Sequence, residues 1–424
     1  MTRAKTTMLL SVFTPSHNPR FLDDCYESLK NQTFENWEWI VVLNGAAGNW
    51  KKPDDDRVQL SRATGLSGVG AAKKAACELA KGEILVEFDH DDILVSTCLQ
   101  EVHDAFKANP GVALVYSDFA QVNEDLTRND DQFDAASGWI YTEEKIDGKF
   151  YLHCHGLEAS PHNVSYVWFA PNHVRAFRRD VYESIGGYNA ELEVLDDQEL
   201  MCRMYIQGDF FHIEKCLYFQ RMHPRNTQRD ARLNARIQRE TVQLYDAYVE
   251  ADLRAWSARN GLLVLDLGAA HNKPDGYLGV DQYAAPGVDF VCDMTQGIDL
   301  ADSSVGVLRA VDFLEHVPDK VALFNELYRL LAHGGMLISM TPSTDGRGAF
   351  QDPTHVSYYN ENSFWYFTEA NYAAFVPPIK CKFQVSRLLT FFPSPWHEEH
   401  NISYICANLI AIKDGPRQGG LLNW

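Results

Sequence analysis

Two rhythms of apolar and polar residues alternate along the first 116 positions. "MLLSVF", "WEWIVVL", "EILVEF" and "VALVYS" are short, nearly continuous apolar runs. Runs of that length, rich in branched and aromatic residues, predict strands buried on both faces. Between them the period lengthens. Leu22, Cys25 and Leu29 share one helical face, as do Val69, Ala72, Ala76 and Leu79 in "GVGAAKKAACELAKG". Gly82 follows that helix as a stop, and Asn44-Gly45 closes the second strand. Strands alternating with helices predict a mostly parallel sheet covered on both sides.

The rhythm then breaks and restarts. Residues 229–259 form one long charged helical pattern with Leu233, Ile237, Leu244, Tyr248 and Trp256 roughly on one side. We expect a linker helix there. From Gly261 a second series begins: "LLVLDLG", "GYLGVD", "VDFVCD", "VGVLRAVDF", the helix "ALFNELYRLLAHGG" and the strand "MLISMTP". The expected organisation is a first domain over 1–228, the helix over 229–259 and a second domain over 260–424. A chain of 424 residues fits two domains better than one core.

Charge and cysteine content narrow the function. A net charge of −20 opposes broad nucleic-acid binding, which needs a basic footprint. No run of about 18 apolar residues predicts a membrane span. The basic start and short apolar run of "MTRAKTTMLLSVF" lead straight into a strand, so they do not suggest a signal peptide. Nine scattered cysteines without a C-x-x-C pair suggest reduced thiols and a cytoplasmic location, with association to a membrane surface left open. "HCH" at His153–His155 has the look of a metal fragment. It lacks an evident partner pair in sequence, which favours loop histidines around a buried cysteine.

The chemistry concentrates where the strand "EILVEF" runs into Asp89, His90, Asp91 and Asp92. Like charges that close repel, so the cluster is either a solvated turn or the seat of something positive. In a parallel sheet, carboxyl ends of strands are where ligands bind.

The order of motifs decides between the two. "SVFTPSHN", "ESLKNQTFENWEWIVVLNG", "GAAKKAACELAKGEILVEFDHDD" and "LDDQELMCRMYIQGD" resemble successive motifs of inverting family 2 glycosyltransferases, over about residues 8–228. The resemblance implies a GT-A, Rossmann-like fold. It also implies a nucleoside-diphosphate sugar donor and a divalent cation, Mn2+ or Mg2+. Asp89 would then face the nucleoside ribose and Asp91 would coordinate the metal, with His223 of "FQRMHPRNTQ" a third ligand or a phosphate contact. Thr14, Pro15 and Asn44 would border the nucleotide, and Lys73 or Lys74 would meet the diphosphate. Asn44 and Leu43 stand where the family usually has acids, which leaves the base open. Asp197 aligns with the catalytic base that takes the acceptor proton, and Asp196 with its acidic neighbour. On the acceptor side, Trp168 would stack on a sugar and Arg175, Arg178 or Arg179 would hold a phosphate. The implied acceptor is a glycan or glycosylated molecule, lipid-linked ones included.

"LLVLDLGAAHNKPDGYLGVD" resembles motif I and the following strand of class I methyltransferases, and the likeness continues over about 260–424. It implies a second Rossmann-like domain that binds S-adenosylmethionine through Asp266, Gly268, Asp281 and Asp293. Asp281 would take the ribose hydroxyls and Asp293 would lie near the adenine amine. Ala269 and Ala270 replace the usual small residue and second glycine. Asp312, Glu315, His316 and His355 would line the methyl-transfer mouth. The leading expectation is an α/β fusion of two enzymes, one adding a sugar and the other methylating the product. The alternative is an active sugar transferase with a degenerate methyltransferase as binding or assembly module.

Overall fold

The first strand, β1 (Leu10–Ser16), is buried along nearly its whole length and has parallel neighbours on both sides. The structure is a computed structural model that describes every residue except 1–7, 46–49, 64, 67, 134–137, 167–170, 225, 227–229 and 415–424. The chain divides into two compact units, Met1–Asp252 and Leu253–Trp424. The division falls inside one helix, Ala231–Arg259, whose buried positions include Ile237, Tyr245, Val249 and Leu253.

In the first unit β1 lies between β2 (Trp37–Asn44) and β4 (Ile84–Glu87), and β3 (Val58–Ala63) extends the row beyond β2, all parallel. The remaining strands are β5 (Ile93–Leu94), β6 (Leu114–Asn123), β7 (Ile140–Ile146), β8 (Lys149–His155), β9 (Arg175–Arg178) and β10 (Phe210–Met222). The sheet order is β3-β2-β1-β4-β9-β6-β10-β5. Strand β9 is inserted antiparallel between β4 and β6. That insertion carries Arg175 next to Glu87, its register partner on β4. Strands β7 and β8 form a hairpin that leaves the main row and joins it through two residue pairs to β6.

The second unit has β11 (Leu263–Leu267), β12 (Leu278–Asp281), β13 (Phe290–Val291), β14 (Val305–Val311), β15 (Leu331–Pro342), β16 (Phe383–Phe391) and β17 (Tyr404–Ala411). Their order is β13-β12-β11-β14-β15-β17-β16, parallel through β15 and antiparallel after it. The order reverses between β11 and β14, so the crevice for a ligand lies at the carboxyl ends of the strands there. Leu265, Leu308, Leu337, Phe324 and Phe364 belong to the unit's buried core. Among the described residues no helix is long and apolar enough to cross a membrane. All nine cysteines are free thiols.

Candidate functional site

The carboxyl ends of β1, β2 and β4 border a cavity of about 590 Å³. Pro15, Asn44, Lys73, Asp89, Asp91, Asp197 and His223 all line it. Seven of the residues expected from sequence are therefore brought together around one space. Thr14 is different: it is fully buried, and its hydroxyl accepts a hydrogen bond from the Trp39 indole at 2.9 Å. Its role is to fix the strand end, and Pro15 supplies the cavity surface.

The acidic turn after β4 is stable because cations and donors surround it. Asp91 Oδ2 lies 2.8 Å from His223 Nε2, so two of the expected metal ligands touch. Arg221 is 2% exposed and threads beneath the turn. Its Nε donates to the Asp91 carbonyl at 2.7 Å, and its backbone N–H donates to Asp92 Oδ1 at 2.7 Å. Burial, then the Asp91 and Asp89 charges, lifts the Asp92 carboxyl well above its usual range. Asp89 Oδ2 lies 3.4 Å from His173 Nε2, and the His173 ring stacks on Tyr218 at 4.4 Å. Loss of water contact raises Asp89 to about 7, with Glu87 and Asp91 adding to the rise and Lys73 opposing it. Burial pushes His173 down to about 3, so it is a neutral imidazole.

A second layer of charge lies below. Lys73 Nζ is 2.6 Å from Glu87 Oε1 and 3.0 Å from Asp196 Oδ2. Arg175 holds Glu87 with Nε at 2.8 Å and Nη2 at 3.1 Å, and its Nη1 reaches Asp197 Oδ2 at 2.8 Å. Desolvation opposes the charge on Glu87, but Arg175 and Lys73 hold it well below the usual carboxylate range. Lys73 and Arg175 both line the cavity, and both are already engaged there: Lys73 with two buried carboxylates, Arg175 with Glu87 and Asp197. Arg178 donates to the Val112 carbonyl at 2.8 Å and Arg179 to the Ala80 carbonyl at 2.8 Å. Lys74 is half-buried and donates to the Gly186 carbonyl at 3.2 Å. Trp168 lies outside the described residues.

Asp196 and Asp197 open the helix Asp196–Gln207, where the macrodipole favours acids. Leu195, just before it, has φ +60° and ψ +20°. A leucine in the left-handed region costs about 1–2 kcal/mol. Val194, Leu195 and Ile237 pack together and offset that cost. The packing aims Asp197 at the cavity, where Oδ1 accepts from the Gln198 N–H at 2.8 Å and Oδ2 faces Arg175.

In the second unit Gly268 ends β11 with φ +74°, and a Cβ there would meet the Phe313 ring at 3.0 Å. Glycine is required on both counts. Ala270, in the same turn, has φ +37°. Its N–H points at Asp281 Oδ2, 3.3 Å away, while Asp281 Oδ1 accepts from the Tyr283 N–H at 3.0 Å. Asp293 is exposed and caps its own turn through the Thr295 N–H at 2.9 Å. Asp266 is buried and paired with Arg309 at 2.7 Å, so it braces β11 against β14 rather than meeting solvent. Asp312 is exposed with φ +50°. Glu315 is buried, accepts from the Thr341 hydroxyl at 2.6 Å, and lies with His316 and His355 so that one ligand atom from each falls within 4.8 Å of the others. The His316 and His355 rings meet edge-on at 5.1 Å.

The chain holds two α/β units, each with a mostly parallel stretch of sheet and candidate site residues at its strand ends. Residues 11–186 match glycosyl transferase family 2, and residues 269–339 match a methyltransferase domain. The chain thus carries a family 2 glycosyltransferase domain fused to a methyltransferase domain. Asp197 and His223 lie beyond the matched segment. Chondroitin synthase of Escherichia coli is 23% identical over 231 residues, 53% of this chain and 30% of that protein. Hyaluronan synthase of Pasteurella multocida is 25% identical over 234 residues, 52% of this chain and 21% of that protein. The chain thus spans less than a third of either relative. A structure of S. aureus TarS residues 1–349 with UDP-GlcNAc aligns with a TM-score of 0.43 and 14% identity, covering 60% of this chain and 72% of that one.

Sequence reasoning passed over Glu87, His173 and Arg221. Glu87 sits inside the apolar run "EILVEF", where nothing in sequence marks it as charge-paired. Only the insertion of β9 beside β4 reveals its partner.

Proposed function

We propose that the first unit transfers a sugar, with inversion, from a nucleoside-diphosphate sugar to a hydroxyl of a saccharide acceptor. The observation that carries this reading is the convergence of Asp89, Asp91, His223 and Asp197 on one cavity at the carboxyl ends of parallel strands. The donor set fits a divalent cation: carboxylate oxygens suit Mg2+ and Mn2+, and one imidazole shifts the preference toward Mn2+. Asp91 and His223 are the residues that would hold it. When bound, the cation supplies charge neutralisation on the departing diphosphate. Pro15 and Asn44 border the nucleotide. Asp197 accepts the proton of the attacking hydroxyl, and Arg175 keeps its carboxylate oriented. His173, neutral, fixes the Asp89 side chain without adding charge. The chondroitin and hyaluronan synthases among the relatives favour a saccharide chain as the acceptor.

The test is a screen of full-length protein against nucleotide sugars with manganese, oligosaccharide acceptors and product detection by mass spectrometry. A glycosylated product that needs both manganese and Asp197 supports the reading. Release of nucleotide that persists unchanged in Asp197→Asn and needs no metal contradicts it.

A second reading concerns the other unit. The glycine-only turn at Gly268 and the Asp281 carboxylate beside it favour a retained S-adenosylmethionine site. Gly268 allows close backbone approach, and Asp281 keeps acceptor capacity for a ribose diol beyond its two N–H partners. On this reading Glu315, His316 and His355 flank the acceptor hydroxyl, and the acceptor is the glycosylated product of the first unit. Binding of S-adenosylmethionine to the full chain in calorimetry supports it, and absence of heat at high ligand concentration sinks it.

A further inference from the structure

The "HCH" segment finds its partners only in three dimensions. Strand alternation places His153 and His155 on one face of β8, with their rings stacked at 4.2 Å. Asp118 of β6 sits under them, fully buried. His153 Nε2 is 2.8 Å from Asp118 Oδ2, and His155 Nδ1 is 3.5 Å from the same oxygen. The three ligand atoms lie within 4.8 Å of one another. His212 of β10 approaches the other oxygen, Oδ1, at 2.6 Å, and the Gly156 N–H donates to Oδ1 at 2.6 Å. None of these residues lines the nucleotide-sugar cavity.

The outer contacts match what metal-bound histidines require. A ligating imidazole has its second nitrogen held by a carboxylate, carbonyl or hydroxyl, which fixes tautomer and ring angle. His153 Nδ1 is 2.6 Å from Glu144 Oε2, and His155 Nε2 is 2.9 Å from the Thr142 hydroxyl. The Tyr116 ring stacks flat on His212 at 4.6 Å. Both nitrogens of His153 thus face carboxylate oxygens, of Asp118 on one side and Glu144 on the other.

We propose that Asp118, His153 and His155 form a zinc site that fastens the β7–β8 hairpin to the sheet. Two imidazoles and one carboxylate suit zinc, whose ligands at about 2.0–2.2 Å stand roughly 3.3 Å apart around a tetrahedron. His212 and the Gly156 N–H orient Asp118, and a Cβ at position 156 would come within 3.0 Å of His212 Nε2. The His155 side chain is 36% exposed, which leaves an entry path and a fourth position for water. The backbone of the hairpin pairs with β6 at Phe119–Cys154 and Ala120–His153.

The experiment uses the full chain, purified without chelator and without a histidine tag. Zinc is measured by mass spectrometry, and cobalt chloride is titrated into stripped protein with visible absorption as readout. Wild type is expected to hold one zinc and to give the intense bands of tetrahedral cobalt. His155→Ala, on the exposed side, and Asp118→Asn, nearly isosteric, are expected to lose both signals. Glu144→Gln should weaken zinc binding about 10–100-fold, and Asp91→Asn should leave it intact. Folding of every variant is checked by circular dichroism. Wild type that takes up neither metal, or His155→Ala and Asp118→Asn that load as well as wild type, overturns the proposal. Loss of zinc in Asp91→Asn with retention in His155→Ala overturns it too, because the metal would then belong to the sugar-transfer site.

Discussion

Arg175 joins Glu87 and Asp197: one guanidinium forks onto the buried Glu87 carboxylate and reaches Asp197 Oδ2 at 2.8 Å. Stability and chemistry thus meet in one side chain. Arg175→Met leaves Asp197 unheld and Glu87 with Lys73 alone. Removing one member of a buried ion pair costs about 3–5 kcal/mol. Urea unfolding monitored at the first unit should show a loss of that order. Arg175→Lys should recover part of the stability and little turnover, because an ammonium cannot fork. Full turnover in the lysine variant would mean that the orientation of Asp197 does not matter.

Asp197→Asn should keep donor affinity within a few-fold while transfer falls at least about 100-fold, the lower range for loss of a general base. Steady-state kinetics with donor and acceptor varied separately checks this. A variant that turns over within a few-fold of wild type removes Asp197 from the base role.

Asp281→Ala removes a carboxylate that would accept ribose hydroxyls, each such bond being worth about 1.5–3 kcal/mol. S-adenosylmethionine affinity in calorimetry should fall at least about tenfold. Ala270→Gly relieves a positive φ of +37° and should stabilise the second unit by about 1 kcal/mol, with cofactor affinity unchanged or tighter. A destabilised glycine variant would show that the turn gains nothing from relaxation.

Asp55 is held down to about 2, chiefly by its hydrogen bond to Arg57, with the Arg57 N–H and the Tyr26 hydroxyl adding to the effect. Its folded value lies below its unfolded value of about 3.9, so the stability it contributes is complete above pH ~4 and fades from there toward pH 2. Asp55→Asn should therefore be less stable than wild type at neutral pH, and the difference should shrink as pH falls through that window. A difference that holds constant from pH 6 to pH 2.5 would sever the link to Arg57.

The sheet of each unit was legible because its strands are continuous apolar runs and its helices repeat every three to four residues. That Asp89, Asp91 and Asp197 would border one cavity was legible because their motifs come in order. Long-range partners were not. Nothing local says that β9 inserts beside β4, so the ion pairs of Arg175 and Lys73 with Glu87 could not be foreseen. The "HCH" segment looked partnerless because Asp118 and His212 come from strands 35 and 57 or more residues away from it. On the long helix Ile237 is buried as expected, but further along Tyr245 and Val249 are buried, one position on from Leu244 and Tyr248. The Tyr248 hydroxyl instead donates to Glu199 Oε1 at 3.0 Å, a contact that helical periodicity cannot foresee.

A metal-dependent nucleotide site at Asp91 and His223 is the core of the sugar-transfer reading, and calorimetry addresses it most directly. Nucleoside diphosphates differing in base are titrated into the full chain with manganese and with chelator, for wild type and for Asp91→Asn. At least one of these nucleotides is expected to bind wild type only with manganese, and Asp91→Asn is expected to bind none of them more tightly with manganese than without. Equal manganese-dependent binding in the two proteins would contradict that reading.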